Sequence, residues 1–131
     1  MNLLFDTCSF IWFVSDTTQL SPRAAQLLLD PASVLWLSTV SVWEIVVKNQ
    51  IGKLPVTGDI EQIVKEQVLN NGVRLLPVEL RHVLTGRTLP TQRASHADPF
   101  DRLLICQTIA DQCTLVTPDP AFRKYSITVE W

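Results

Sequence analysis

The sequence has only three cysteines, and their spacing argues against both a disulfide framework and a zinc site. Cys8, Cys106 and Cys113 stand in apolar surroundings, and no C-x-x-C pair occurs among them. Free, buried thiols in a reducing compartment are the simplest interpretation. We therefore expect a cytoplasmic protein without structural zinc.

Other features that the sequence lacks exclude further classes of protein. No apolar run approaches the roughly 18 residues that a membrane-spanning helix needs, and the N-terminus lacks the basic region of a signal peptide. The glycine-rich G-x-x-x-x-G-K and G-x-G-x-x-G nucleotide motifs are absent, as is the G-x-S-x-G nucleophile elbow. Acidic residues outnumber basic ones by 13 to 11, so the chain is not a generally basic nucleic-acid binder. A local basic rim around an acidic site is still compatible with that balance.

The chain alternates apolar strands with amphipathic helices over its whole length. With 131 residues, 47% of them hydrophobic and 18% charged, it suits one globular domain spanning residues 1–131. Strands are predicted at 2–5, 34–37, 73–78, 114–117 and 127–129. Helices are predicted at 10–13, 21–30, 39–49, 60–69, 79–84 and 99–113, with a polar loop at 86–97 and a turn or short helix at 118–123. This order predicts an α/β fold around a parallel sheet that is covered by helices on both faces.

Four separated acidic residues are the most informative feature of the sequence. Asp6 and Asp119 each follow a predicted strand, at the sheet edge where α/β proteins bind ligands. Glu44 lies within an apolar helical row, and Asp101 opens a helix. A carboxylate beside a buried apolar segment costs free energy unless a cation compensates it. We therefore predict that the four acids share a divalent metal ion, because hard cations take oxygen ligands from Asp and Glu.

Each acid also has an ordinary structural interpretation. Glu44 could form an ion pair with Lys48 one helical turn later, although such a pair is weak at a surface. The other acids could be helix caps, first-turn helix residues or turn residues: Asp6, Asp98, Asp101 and Asp119.

Two expectations concern the remaining chemistry-bearing residues. His82 and His96 have no cysteine or second histidine at ligand spacing, so a surface or loop position is expected for both. The tryptophans are expected to fill the core, and the apolar helix around Trp43 needs cover on two sides, from the sheet and from a second subunit. These tryptophans are Trp12, Trp36, Trp43 and Trp131.

Four short motifs occur in one order along the chain. They are Leu4-Phe5-Asp6-Thr7, Ser41-Val42-Trp43-Glu44-Ile45, His96-Ala97-Asp98-Pro99-Phe100-Asp101-Arg102-Leu103-Leu104-Ile105 and Val116-Thr117-Pro118-Asp119. Together they resemble the PIN-domain ribonucleases and, within that group, the VapC toxins of bacterial toxin–antitoxin pairs. The resemblance covers essentially the whole chain, and its most specific motif runs from Asp98 to Arg102.

The resemblance implies a three-layer α/β/α sandwich with a short parallel sheet and a site for Mg²⁺ or Mn²⁺. It also implies a homodimer and a small VapB-like antitoxin. By motif, the catalytic and metal-binding acids would be Asp6, Glu44, Asp101 and Asp119, with Asp98 as a further candidate ligand. Candidate substrate contacts are Thr7, Lys48, Arg93, Arg102 and Thr117. The chain departs from the subgroup at Cys8, where histidine is common, and at Ala97, where arginine is common.

The implied reaction is metal-assisted hydrolysis of an RNA phosphodiester, with Asp6 as the central ligand and Glu44 orienting or deprotonating the attacking water. Two rival functions stay open at this stage. One is a metal-dependent phosphatase that uses a strand-end aspartate as nucleophile. The other is an inactive binding module that regulates DNA through a partner in a toxin–antitoxin complex.

Overall fold

A parallel sheet lies at the centre of the fold, as a computed structural model covering residues 1–52, 58–90 and 98–131 describes it. The strands are β1 (Asn2–Phe5), β2 (Val34–Ser38), β3 (Arg74–Leu76), β4 (Thr114–Val116) and β5 (Thr128–Glu130). All neighbouring pairs are parallel, and the order across the sheet is β3-β2-β1-β4-β5. The predicted α/β class with a parallel sheet is confirmed.

Helices connect the strands and begin where the sequence places capping residues. They are α1 (Thr7–Ser15), α2 (Pro22–Leu29), α3 (Thr39–Gln50), α4 (Ile60–Asn71), α5 (Leu80–Thr85) and α6 (Pro99–Asp111). Short 3-10 segments lie at Thr17–Gln19, Gly86–Thr88 and Pro120–Lys124. The predicted start of α2 is confirmed, since the Ser21 hydroxyl accepts the Ala24 N–H at 3.0 Å. Across the described ranges, no helix is long and apolar enough to cross a bilayer.

The sheet separates two apolar clusters, because successive side chains of a strand point to opposite faces. Leu3 and Phe5 of β1 pack with residues of α1 and α2 and with Ile45 of α3, and α4 covers the same cluster. Leu4, between them, packs on the other face with residues of α6 and with Phe122. Helices therefore lie on both faces of the sheet, as a three-layer sandwich requires.

The strand order reverses direction next to β1, the middle strand. The chain runs outward from β1 through β2 to β3, and then returns to β4 on the opposite side of β1. Phe5 and Val116 are partners in register at the carboxyl ends of β1 and β4. Ligands of open α/β sheets bind at such a reversal point, beyond the carboxyl ends of the strands. Asp6 and Asp119 follow these two strand ends.

The third strand differs from its prediction. The sequence predicted a strand over 73–78 covered on both faces, whereas β3 spans Arg74–Leu76 and its Arg74 and Leu75 side chains are exposed. The strand lies at the sheet edge, where only β2 pairs with it. Pro77 has no N–H to donate, which is consistent with the strand ending at Leu76.

Two further expectations differ from the structure. Partly buried Trp12 and Trp131 pack against the cluster of Leu3 and Phe5, and Trp36 packs against that of Leu4, but Trp43 is 59% exposed. His82 is fully buried instead of exposed. Its ring nitrogens explain this position, because Nδ1 accepts the Glu79 N–H at 3.0 Å and Nε2 lies 2.7 Å from the Asp111 carboxylate.

Candidate functional site

A cavity of about 290 Å³ opens at the carboxyl ends of β1 and β4. All four acids that the sequence singled out line it. The full lining is Asp6, Thr7, Cys8, Glu44, Asp101, Pro118, Asp119 and Phe122. The structure therefore brings together acids that the sequence places as far as 113 residues apart, from position 6 to position 119.

Asp6 occupies the N-cap of α1, and both of its carboxylate oxygens have hydrogen-bond partners. Oδ1 accepts the Ser9 N–H at 2.7 Å, and Oδ2 accepts the Thr117 hydroxyl at 2.5 Å. Burial raises the pKa of Asp6; the bonds from Thr117 and Ser9 oppose that rise, and the charge of Glu44 adds to it. Asp6 therefore both caps α1 and lines the cavity.

Glu44 lies in the interior of α3 and is 6% exposed. Its Oε1 accepts the Thr7 hydroxyl at 2.5 Å, and its Oε2 forms an ion pair with Lys48. The ion pair that the sequence offered as an alternative therefore exists, but it is formed by a buried carboxylate on the cavity wall.

The N-terminus of α6 contributes two acids. Asp98 is the N-cap, and its Oδ1 accepts the Phe100 N–H at 2.8 Å and the Asp101 N–H at 3.3 Å. The pKa of Asp101 is raised to about 7, first by burial and then by the negative charges around it. In decreasing order these charges belong to Asp98, Glu44, Asp6 and Asp119.

Asp119 caps the 3-10 segment Pro120–Lys124, with its Oδ1 accepting the Ala121 N–H at 2.9 Å. Its own N–H donates to the Thr117 hydroxyl oxygen at 3.1 Å. The Thr117 hydroxyl in turn donates to Asp6, so one side chain connects the two strand-end acids. Thr7 and Thr117, predicted as substrate contacts, both donate to carboxylates of the cavity.

The basic candidates are placed differently from one another. Lys48 lies at the cavity through its pair with Glu44. Arg102 donates from Nη2 to the Pro90 carbonyl at 2.8 Å. Arg93 and His96 lie outside the described residues, and so does the departure at Ala97.

Two residues at this site were not predicted to contribute. Ser9 supplies the N–H that holds Asp6, and its hydroxyl donates to the Val116 carbonyl at 2.8 Å. The helix-cap interpretation of Asp6 already implied a bond to a backbone N–H of the first turn, but nothing in the sequence pointed to the contact of the Ser9 hydroxyl. Cys8 lines the cavity, and burial together with the charges of Asp6, Asp119 and Glu44 raises its pKa to about 11. The thiol is therefore neutral at ordinary pH.

The family follows from the sequence match together with this geometry. A family model described as PIN domain matches residues 3–127. The chain belongs to the PIN domain family. The parallel sheet and the strand-end acids of the described structure are consistent with that membership.

Solved structures share the fold of this PIN domain at low sequence identity. VapBC2 from Rickettsia felis, bound to a promoter DNA fragment, aligns with a TM-score of 0.71 and 16% identity over 99% of this chain and 98% of that chain. VapBC-1 from nontypeable Haemophilus influenzae aligns with a TM-score of 0.68 and 18% identity, over 99% of this chain and 97% of that chain. DNA-bound VapBC from Salmonella typhimurium aligns with a TM-score of 0.70 and 11% identity, over 99% of this chain and 97% of that chain. No curated protein sequence matches the chain.

The donor set of this PIN domain fits a hard divalent cation by its chemistry. Its wall offers carboxylate oxygens, which Mg²⁺ and Mn²⁺ prefer, and the pKa of Asp101 is raised first by burial and then by the neighbouring carboxylates. Among the described residues, no three Asp, Glu, His or Cys side chains are yet arranged as a metal-binding group. Asp6, Glu44, Asp101 and Asp119 are the residues that could hold a cation, with Asp98 beside them.

Proposed function

We propose that this PIN domain is a metal-dependent endoribonuclease toxin that hydrolyses RNA phosphodiester bonds and is neutralised by a VapB-like antitoxin. The observation that carries the proposal is the convergence of four carboxylates in one cavity at the strand-order reversal. Membership of the PIN domain family supports nuclease chemistry at that cavity.

Asp6 is the central metal ligand in this proposal, because it is buried and follows the middle strand. Asp101 and Asp119 complete the set in the cavity lining, and Asp98 is a further candidate. When bound, Mg²⁺ or Mn²⁺ would lower the pKa of a water molecule and stabilise negative charge on the phosphate. Glu44 orients the attacking water or accepts its proton.

Thr7 and Thr117 hold the carboxylates in this proposal. Each hydroxyl already donates to an acid, at 2.5 Å in both cases, and partners of that kind orient metal ligands in known sites. Phosphate contacts are assigned to the basic candidates: Lys48, Arg93 and Arg102.

The partners of this PIN domain are proposed from its structural neighbours, which are named as VapBC assemblies. We propose a VapB-like antitoxin on that basis, and a cytoplasmic location for the pair. A homodimer is proposed from exposed apolar surface, since Trp43 is 59% exposed and lines an apolar cavity of about 530 Å³ together with Phe100 and Leu103. Light scattering of the purified chain tests the dimer, and a monomer at micromolar concentration contradicts it.

The decisive experiment is metal-titrated cleavage of total cellular RNA with mapping of the products. Asp6→Asn should abolish cleavage while the far-UV circular dichroism spectrum stays unchanged. The matched control is Asp16→Asn, because Asp16 also caps a helical segment through its side chain but is exposed and does not line the cavity. Full cleavage by Asp6→Asn, or cleavage that persists in EDTA, contradicts the proposal. Turnover of p-nitrophenyl phosphate with intact RNA would instead identify a phosphatase.

A further inference from the structure

The Glu44–Lys48 ion pair differs from an ordinary helical pair of the same spacing. In α4, Lys65 and Glu61 form a pair at 2.8 Å in which both side chains are about two-thirds exposed, 68% and 70%. In α3, the Glu44 side chain is 7% exposed and that of Lys48 is 34% exposed. Solvent screens the α3 pair less than the α4 pair, so the α3 pair is the stronger electrostatic contact.

Lys48 also lies in the field of the other site acids. Its pKa is raised first by the hydrogen bond to Glu44 and further by the charges of Asp98 and Asp101, against the opposing effect of burial. Within the described parts of the chain, it is the only cationic side chain in a salt bridge with an acid of the cavity. Its ammonium therefore supplies part of the positive charge that this group of carboxylates requires.

We infer that Lys48 is an internal competitor of the divalent metal, which holds a Glu44 oxygen in the metal-free protein and must release it before Glu44 can serve the metal site. This inference rests on the proposed function, because it presupposes that the cavity binds a divalent cation. Both Glu44 oxygens are engaged, one by the Thr7 hydroxyl and one by Lys48. The Thr7 bond is compatible with a metal on the same carboxylate, since each oxygen has two acceptor sites. The Lys48 bond is not compatible with a metal on the same carboxylate, because the ammonium and the metal ion are both positively charged and repel each other.

The experiment compares Lys48→Met with the wild-type chain in Mn²⁺ titrations followed by calorimetry, with melting temperatures measured in EDTA and at saturating Mn²⁺. Lys48→Met should bind Mn²⁺ at least about tenfold more tightly, since no ammonium has to be displaced from the Glu44 oxygen before the metal site can use it. It should also melt at a lower temperature in EDTA, because Glu44 is left buried and unpaired. Lys65→Met removes the exposed pair of the same spacing and should change neither quantity.

A double-mutant cycle separates competition for Glu44 from a general effect of charge. In a Glu44→Gln background, Lys48→Met should lose most of its gain in Mn²⁺ affinity. A gain that persists in full means that Lys48 acts only through its field, and it overturns the inference. Lys48→Arg keeps the charge and should bind Mn²⁺ with an affinity close to wild type.

The outcomes separate this inference from the proposed function. If the wild-type chain binds Mn²⁺ and Lys48→Met binds it no more tightly, the inference fails and the metal site stands. If neither chain binds Mn²⁺, both fail together. If Lys48→Met does not fold, Lys48→Gln removes the charge while keeping a hydrogen-bond donor, and the same gain in affinity is expected of it.

Discussion

Neutralising Asp101 should stabilise the metal-free protein, and the gain should depend on pH. The pKa of Asp101 lies at about 7 in the folded chain, above its ordinary value of 3.8, because burial and the neighbouring acids disfavour its charge. The unfolded chain loses this proton near pH 4, whereas the folded chain keeps it until about pH 7. Ionised Asp101 therefore opposes folding increasingly from pH 4 to pH 7, and fully above that range.

The size of the effect follows from that rise in pKa. A pKa unit corresponds to about 1.4 kcal/mol, which sets a ceiling of about 4 kcal/mol for the penalty. Asp101 is partly exposed, and solvent screening reduces the expected value to about 1–2 kcal/mol. For a chain of this length we expect Asp101→Asn to raise the melting temperature by about 3–7 °C at pH 8, and by almost nothing at pH 4.

Thermal melts in EDTA at half-unit steps from pH 4 to pH 8.5 measure this prediction. Asp16→Asn is the control: the pKa of the exposed Asp16 is lowered by the Thr18 and Gln19 side chains, so its neutralisation should bring no gain as the pH rises. Saturating Mn²⁺ should reduce or reverse the gain in melting temperature of Asp101→Asn. In the wild-type chain the Asp101 carboxylate that opposes folding then binds the metal, and metal binding stabilises the folded state. A gain that is equal at all pH values, or a loss of stability at pH 8, refutes the reasoning.

Two other substitutions test contacts seen in the structure. Thr117→Val removes the hydroxyl that connects Asp6 to Asp119, and RNA cleavage should fall by about 10–100-fold while Thr117→Ser retains it; unchanged cleavage by Thr117→Val contradicts the positioning role. His82→Ala should lower the free energy of unfolding by about 2–4 kcal/mol, because Asp111 and a backbone N–H lose a buried partner. Urea denaturation measures that loss, and a change below about 0.5 kcal/mol contradicts the account of His82 burial.

Two arguments from the sequence predicted the convergence of the acids, and the first depends on the fold class alone. Residues that follow parallel strands meet at one edge of the sheet, so Asp6 and Asp119 were expected there. Glu44 lies in an apolar helical row and Asp101 at the start of an apolar helix. Both were expected to join Asp6 and Asp119, because a carboxylate beside a buried apolar segment needs a cation to compensate its charge. The cavity lining agrees with both expectations.

The hydroxyl contacts and the burial of His82 could not be predicted in this way. Thr117 meets Asp6 across 111 residues, and the contact depends on the register of two strands. His82 finds Asp111 only because α5 packs against α6. Periodicity identifies an apolar helix face but not what covers it, and for this reason the exposure of Trp43 was missed.

Capping and ligation are not competing roles in this site. Three of its acids, Asp6, Asp98 and Asp119, accept backbone N–H groups at the starts of helical segments, where the helix dipole also favours negative charge. The chain can therefore collect these carboxylates at one edge of the sheet, and part of their charge is compensated before any cation arrives. Glu44 does not follow this pattern, because the interior of α3 offers no free N–H to it. Its burial requires side-chain partners, which the Thr7 hydroxyl and the Lys48 ammonium supply.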